Sequence, residues 1–244
     1  MITLIGTGHV FNLSSALLNI FEEKKPDIIC VELDKQRFNA MIAKKTNPEQ
    51  YKSTNKNVPI VYKMMARFQD NMADEYGVTA GEEMYTAFQY AQSHQLPIKF
   101  IDMNAQQLFK KMLKSMSISE KFKLFLTGVG GFFVSKKRVE KELDKFEKNF
   151  DDYIEEIGKK FPTIKRVLID DRNKYMSEQI SSISEEYNQI ITLVGDGHVP
   201  GMKKLLEEKG LDFSVVRLKE LRQIGEVETE SSTCLLYTSD AADD

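Results

Sequence analysis

A short internal repeat constrains this chain more than any other feature. Residues 3–10 read TLIGTGHV and residues 192–199 read TLVGDGHV, identical at six of eight positions. In each copy an apolar run ends in Gly-x-Gly-His and a helical pattern follows. Each helix then leads to another apolar run, at 28–31 after the first copy and at 213–216 after the second. Continuous apolar runs are what strands covered on both faces require. Strand, glycine turn, helix and strand, given twice, predict two pseudo-symmetric βαβ units. With a further β-branched run at 98–101, the expected fold class is α/β. Its central, mainly parallel sheet carries both glycine turns at the carboxyl edge, where open α/β sheets bind ligands.

Apolar periodicity predicts helices at about 13–24, 35–45, 60–75, 81–95, 104–117, 136–159, 163–187 and 200–209. No strand pattern occurs from 104 to 187, so that stretch reads as a helical insertion broken at Phe161-Pro162. One domain is expected over 1–225, with a linker at 226–233. The last residues, 234–244, read CLLYTSDAADD and fit neither period. They look like a translated sequencing adapter, an artefact expected to have no packed role.

Composition removes several classes. With 41% hydrophobic and 29% charged residues in 244, the chain fills a real core and is neither disordered nor collagen-like. A net charge of -3 supplies no global basic field, so no nucleic-acid partner is expected. Two cysteines, Cys30 and Cys234, make no disulfide framework and point to a reducing compartment. No signal-peptide pattern follows Met1, and no apolar run reaches the ~20 residues of a spanning helix.

Several residues carry chemistry. His9 and His198 stand at equivalent places in the two repeats, where glycines let the backbone turn and bring an imidazole to the strand end. The plainer alternative is a pair of histidines bonded to backbone at helix starts. Glu32 and Asp102 end strands, and each is either a site carboxylate or a helix cap; Asp34 is placed as the N-cap of the helix that carries Arg37. Glu82 has capping-box spacing with Thr79, whereas Glu83 shares a small-residue face with Ala87 and Ala91 and needs a cation or a metal there. Arg172 lies on an apolar stripe with Leu168, Tyr175, Met176 and Ile183, so an acid or an anionic ligand should meet it. His94 sits in a polar turn and reads as a surface residue. Residues 110–138 hold eight Lys/Arg against Glu120 alone, interleaved with Phe109, Phe122, Phe125, Phe132 and Phe133. Their readings are a solvated face with a glycine-rich break at 125–134, or a contact with a membrane surface or a partner.

With these pieces assembled, the chain resembles the TraB/PrgY (pheromone shutdown) family, related to the Tiki metalloproteases. The matching segments are GTGHV (6–10), VELDKQRF (31–38), GEEM (81–84) with Ala87 and Ala91, ID (101–102), LIDDRNKYM (168–176) and LVGDGHVPGM (193–202). Met103-Asn104 departs from the Arg-Asp often found there, and Asp171 from the usual Glu. The resemblance implies a prokaryotic, metal-dependent hydrolase acting on peptides, in a cytoplasmic-facing domain that members often anchor by C-terminal membrane helices. It carries the paired histidine motifs onto His9 and His198, the acidic motif onto Glu32, the helix glutamate onto Glu83 and the arginines onto Arg37 and Arg172. His9, His198 and Glu32 would then hold one divalent ion (manganese, cobalt, zinc or iron). Glu83 would serve as further ligand or base, and Arg172 or Arg37 would hold an anionic group of the substrate.

Two other classes compete with this reading. A nucleotide-binding module would use the strand and GxG turn, but Phe11 stands where the third glycine of that fingerprint belongs. A non-catalytic peptide-binding or sequestering protein would use the same cleft.

Overall fold

The computed structural model describes residues 1–8, 11–46, 81–131, 155–156 and 158–224, with only the backbone for residue 125 and residues 127–131. The helices expected at 60–75 and over most of 136–159, the tail at 234–244, and His9 lie outside the described residues.

Five strands form one sheet: β1 (Ile2–Thr7), β2 (Ile28–Val31), β3 (Ile98–Phe100), β4 (Ile190–Gly195) and β5 (Phe213–Val216). All pairings are parallel, and the strand order is β3-β2-β4-β1-β5. The protein is thus α/β with an all-parallel central sheet. Helix α1 (Ser14–Lys24) connects β1 to β2 by passing over β4, and the helix after β4, Val199–Glu208, connects to β5 by passing over β1. The two crossovers run in opposite directions, so right-handed connections place their helices on opposite faces.

The core shows this division. One face packs Ala16, Leu17 and Phe21 of α1 against Ile5, Ile29, Val31 and Leu193, together with Met84, Ala87 and Tyr90 of α3 (Glu82–Ser93). The other packs Val199, Met202 and Leu206 against Leu4, Ile28, Cys30, Ile190 and Val194. Each fully buried aliphatic side chain contributes about 1.5–3 kcal/mol, so both faces are needed to hold a sheet this small. Cys30 belongs to this core; burial pushes its thiol up to about 12, so it is no nucleophile at neutral pH.

The repeat is paired one residue out of step. Thr3 is the counterpart of Thr192 but pairs with Ile191, and Leu4 is the counterpart of Leu193 but pairs with Thr192. A one-residue slip reverses which face each side chain meets. Leu4 therefore packs on one face and Leu193 on the other, as two halves related by a two-fold axis along the strands require.

Between β3 and β4 the described residues are helical. They include α4 (Ala105–Ser115), α5 (Ile118–Gly131), the short α6 (Pro162–Lys165), a π-helical segment Arg166–Asp170, and α7 (Asp171–Ile183). Pro162 opens α6 at its first turn, where a missing N–H costs nothing. The expected glycine-rich break at 125–134 is corrected in part. The helix runs on through Gly128, Gly130 and Gly131, because its own backbone bonds outweigh the low propensity of three glycines. Ile118, Phe122 and Leu126 are exposed along α5, and no described helix is long and apolar enough to cross a membrane.

Glu120 ties this region together. Its carboxylate accepts from the Ser117 N–H at 3.0 Å, while the Glu120 N–H donates to Ser117 Oγ at 3.2 Å, a reciprocal capping box. The same carboxylate accepts from the Thr163 N–H at 2.8 Å, joining the start of α5 to α6. Burial raises its pKa, but these N–H and hydroxyl donors outweigh that and lower it to about 2. A depressed carboxylate stabilises the fold fully above its unfolded value near 4.5 and loses that contribution as pH falls through about 2. Stability of the wild type should therefore fall toward that of Glu120→Gln as acid unfolding is followed below pH 4.5. Parallel curves for the two proteins would show that the carboxylate adds nothing.

Candidate functional site at the carboxyl edge

Strands β1 and β4 are neighbours whose following helices leave on opposite faces, which opens a crevice at the carboxyl edge. Beside it, three strand ends deliver ionisable groups to one place. Glu32 follows β2, Asp102 follows β3, and His198 ends the turn Asp196–His198 after β4. All three meet Arg172 of α7.

The guanidinium is saturated. Its Nε donates to Asp102 Oδ1 at 2.9 Å, and Nη2 donates to Asp102 Oδ2 at 2.8 Å and to Glu32 Oε1. Nη1 donates to the Leu168 carbonyl at 3.2 Å and faces His198 Nε2 at 3.0 Å. A guanidinium has five N–H donors and no acceptor, so all five are engaged within the protein and Nε2 of His198 must accept. The His198 proton then sits on Nδ1, which donates to Asn173 Oδ1 at 2.6 Å. Arg172 is the charge that faces His198.

Glu32 is held from two sides. Its Oε2 accepts from the Gly195 N–H at 2.6 Å while Oε1 meets Arg172. Burial would push this carboxyl up; His198 and Arg172 beside it, with the Gly195 N–H, hold it well below the usual carboxylate range. Asp102 also accepts from Met103 N–H at 2.7 Å and from Arg37 Nη1 at 3.2 Å. Among the described residues Arg37 makes that one side-chain bond, and its side chain is more than one-third exposed. Asp34 does cap α2 (Lys35–Thr46), through the N–H groups of Gln36 and Arg37, and reaches the Ala105 N–H of α4 as well.

Glu83 is buried on α3, beside Met84 and Ala87 on the first core face. Glu82 pairs with Lys45 at 2.6 Å, and the residue that caps α3 is Gly81, at φ 83°, a conformation suited to glycine. His94 closes α3, stacked on Tyr90 with ring centroids 4.0 Å apart.

Sequence reasoning passed over three contributors. Asn173 adjoins Arg172 and was hidden by it, although a buried amide next to a buried arginine is itself a signal of a polar network. Gly201 allows that amide its position, since a Cβ there would lie 2.2 Å from Asn173 Nδ2. Asp196 accepts from Arg217 Nε at 2.9 Å and Nη2 at 2.7 Å, fastening the second glycine turn to the end of β5. Gly201→Ala is expected to cost about 1–3 kcal/mol as an overpacked helix contact and to move Asn173 off His198. Unchanged thermal unfolding, with an unchanged His198 imidazole NMR signal, would show that the contact relaxes freely.

The donor types around Arg172 suit a divalent ion, but their arrangement does not. Every inward-facing atom of Glu32, Asp102 and His198 surrounds a cation that the protein supplies. Among the described residues no three His, Cys, Asp or Glu side chains form a metal-holding group. The two carboxylates are already balanced by Arg172 and Arg37, so a divalent ion added here would be two buried positive charges in excess.

An uncharacterized protein of Methanocaldococcus jannaschii, MJ1365, is 28% identical over 229 residues, covering 91% of this chain and 58% of that relative. The chain thus spans little more than half the relative's length. The TraB/PrgY/gumN family profile matches residues 1–214, from β1 through the start of β5. The chain belongs to the TraB/PrgY/gumN family.

Proposed function

We propose that this chain is the hydrolytic domain of a peptide hydrolase working at the carboxyl edge of the sheet. The observation that carries the reading is the convergence of Glu32, Asp102, His198 and Arg172 from three strand ends and one helix beside the crossover crevice. Such a buried set of ionisable groups is more than the fold needs, since apolar residues of the same volume would pack as well. Arg37 is the group for a peptide carboxylate or carbonyl, because it is partly exposed and makes one side-chain bond among the described residues, whereas Arg172 is saturated. His198 carries its lone pair on Nε2, where it accepts from Arg172, so the imidazole takes a proton only in exchange for that bond. Glu83 supplies a second acid from the other core face.

A divalent ion is part of the proposal, with His9, His198 and Glu32 as its ligands. When bound it would polarise a carbonyl and acidify water. As Arg172 now stands the described donors do not fit it, and the residue roles above do not depend on it. The alternative is peptide binding without turnover, favoured by the saturated state of Arg172. Purified protein should be assayed on a peptide library with manganese, cobalt, zinc or iron, and with chelator. Cleavage is expected, and its loss or survival with chelator decides whether an ion takes part; tight peptide binding without cleavage under every condition would establish the alternative.

A further inference from the structure

We infer that the outward face of α5 docks on an anionic lipid surface, the helix lying flat among the headgroups with Ile118, Phe122 and Leu126 entering the acyl boundary. These three side chains stand at i, i+4 and i+8 and form one stripe along the helix. They are exposed to 86%, 61% and 53%. Single exposed apolar residues are ordinary, but an aligned set on one helix face marks a contact surface. Glu120 is what turns this face outward. At about 100° per residue it points away from the stripe, and its carboxylate accepts from the N–H groups of Ser117 and Thr163. The bond to Thr163 of α6 fixes the rotation of α5 about its own axis, which leaves the stripe to solvent.

Charge says what covers the stripe. From Lys110 to Leu126 the chain carries five lysines and one acid, and that acid is Glu120, buried and bonded within the protein. Lys111 pairs with Asp171 at 2.8 Å, while Lys110, Lys114, Lys121 and Lys123 are exposed. By helix geometry Lys121 and Lys123 lie on the two sides of the stripe. From there their stems can follow the apolar surface and their ammonium groups can reach lipid phosphates. The choice of base favours a bilayer over a protein partner. Protein interfaces are enriched in arginine and depleted in lysine, and every base in this stretch is a lysine. The docking face is separate from the carboxyl-edge cluster, because α5 supplies none of Glu32, Asp102, Arg172 or His198. The inference therefore does not rest on the hydrolase reading.

The test is cosedimentation of the full chain with vesicles of equal parts phosphatidylcholine and phosphatidylglycerol, and with vesicles of phosphatidylcholine alone. Wild type should bind the anionic vesicles at least about tenfold more tightly than the neutral ones, and less tightly as salt is added. Phe122→Ser should weaken anionic binding by about tenfold or more, and Lys121→Gln by about fivefold. Thermal unfolding of both variants should match the wild type, since both side chains are exposed. The chain has no tryptophan, so Phe122→Trp reports on this position alone, and its emission should shift to the blue on anionic vesicles. A wild type that stays in the supernatant overturns the proposal, as does equal binding to the two vesicle types or equal binding by Phe122→Ser. Sedimentation of Phe122→Trp without a shift overturns it too, because attachment then lies elsewhere. A wild type that ignores vesicles but forms a dimer abolished by Phe122→Ser gives the face to a second copy of the chain and refutes the lipid contact.

Discussion

Asp102→Ala is expected to lower the unfolding free energy by about 3–5 kcal/mol, the range for breaking a buried ion pair by removing one partner. The Asp102 side chain is almost completely buried and accepts from Arg172 twice, from Arg37 and from the Met103 N–H. Its removal leaves Arg172 with Glu32 as its only counter-charge and two donors with no acceptor. Asp102→Asn keeps the shape but turns a nitrogen toward the guanidinium, and should be nearly as costly. Urea denaturation of the three proteins measures this directly. A loss below about 1 kcal/mol would mean that the cluster is solvated in solution.

His198→Ala is expected to reduce peptide turnover by about 100-fold or more, the usual effect of removing a proton-transfer group. Its stability cost should be smaller, about 1–3 kcal/mol, because Arg172 loses one acceptor of five and Asn173 one donor. Asn173→Ala separates orientation from chemistry. It leaves Nε2 facing Arg172 but removes the partner of Nδ1 that orients the ring, so turnover should fall less than in His198→Ala. Turnover in His198→Ala within twofold of wild type would remove this residue from the chemistry.

The elements that run on one simple period were legible. Ile28–Val31 and Phe213–Val216 are strands as the apolar runs imply, and the α1 and α2 patterns lie within a residue of the observed bounds. Glycine composition misled over 125–130, since the helix continues past Gly128 and Gly130, whose low propensity weakens it without ending it there. In the site, the burial of Arg172 and its need of an acid followed from its place on an apolar stripe. Which acid could not follow. Asp102 is 70 residues from Arg172 and Glu32 is 140, and helical or strand periodicity carries no information at that separation.

By itself the sequence determined that this is a TraB/PrgY/gumN α/β chain with a duplicated strand–turn–helix unit, since motif and period are local properties read residue by residue. Only the tertiary structure decided how the copies combine. Their pairing is one residue out of step, which sends counterpart side chains to opposite faces, and no feature within either copy specifies a register with the other. Tertiary structure also decided what Arg172 holds: an arginine has the same five donors in any sequence, and only the closing of β2, β3, β4 and α7 around it fills all of them from within the protein.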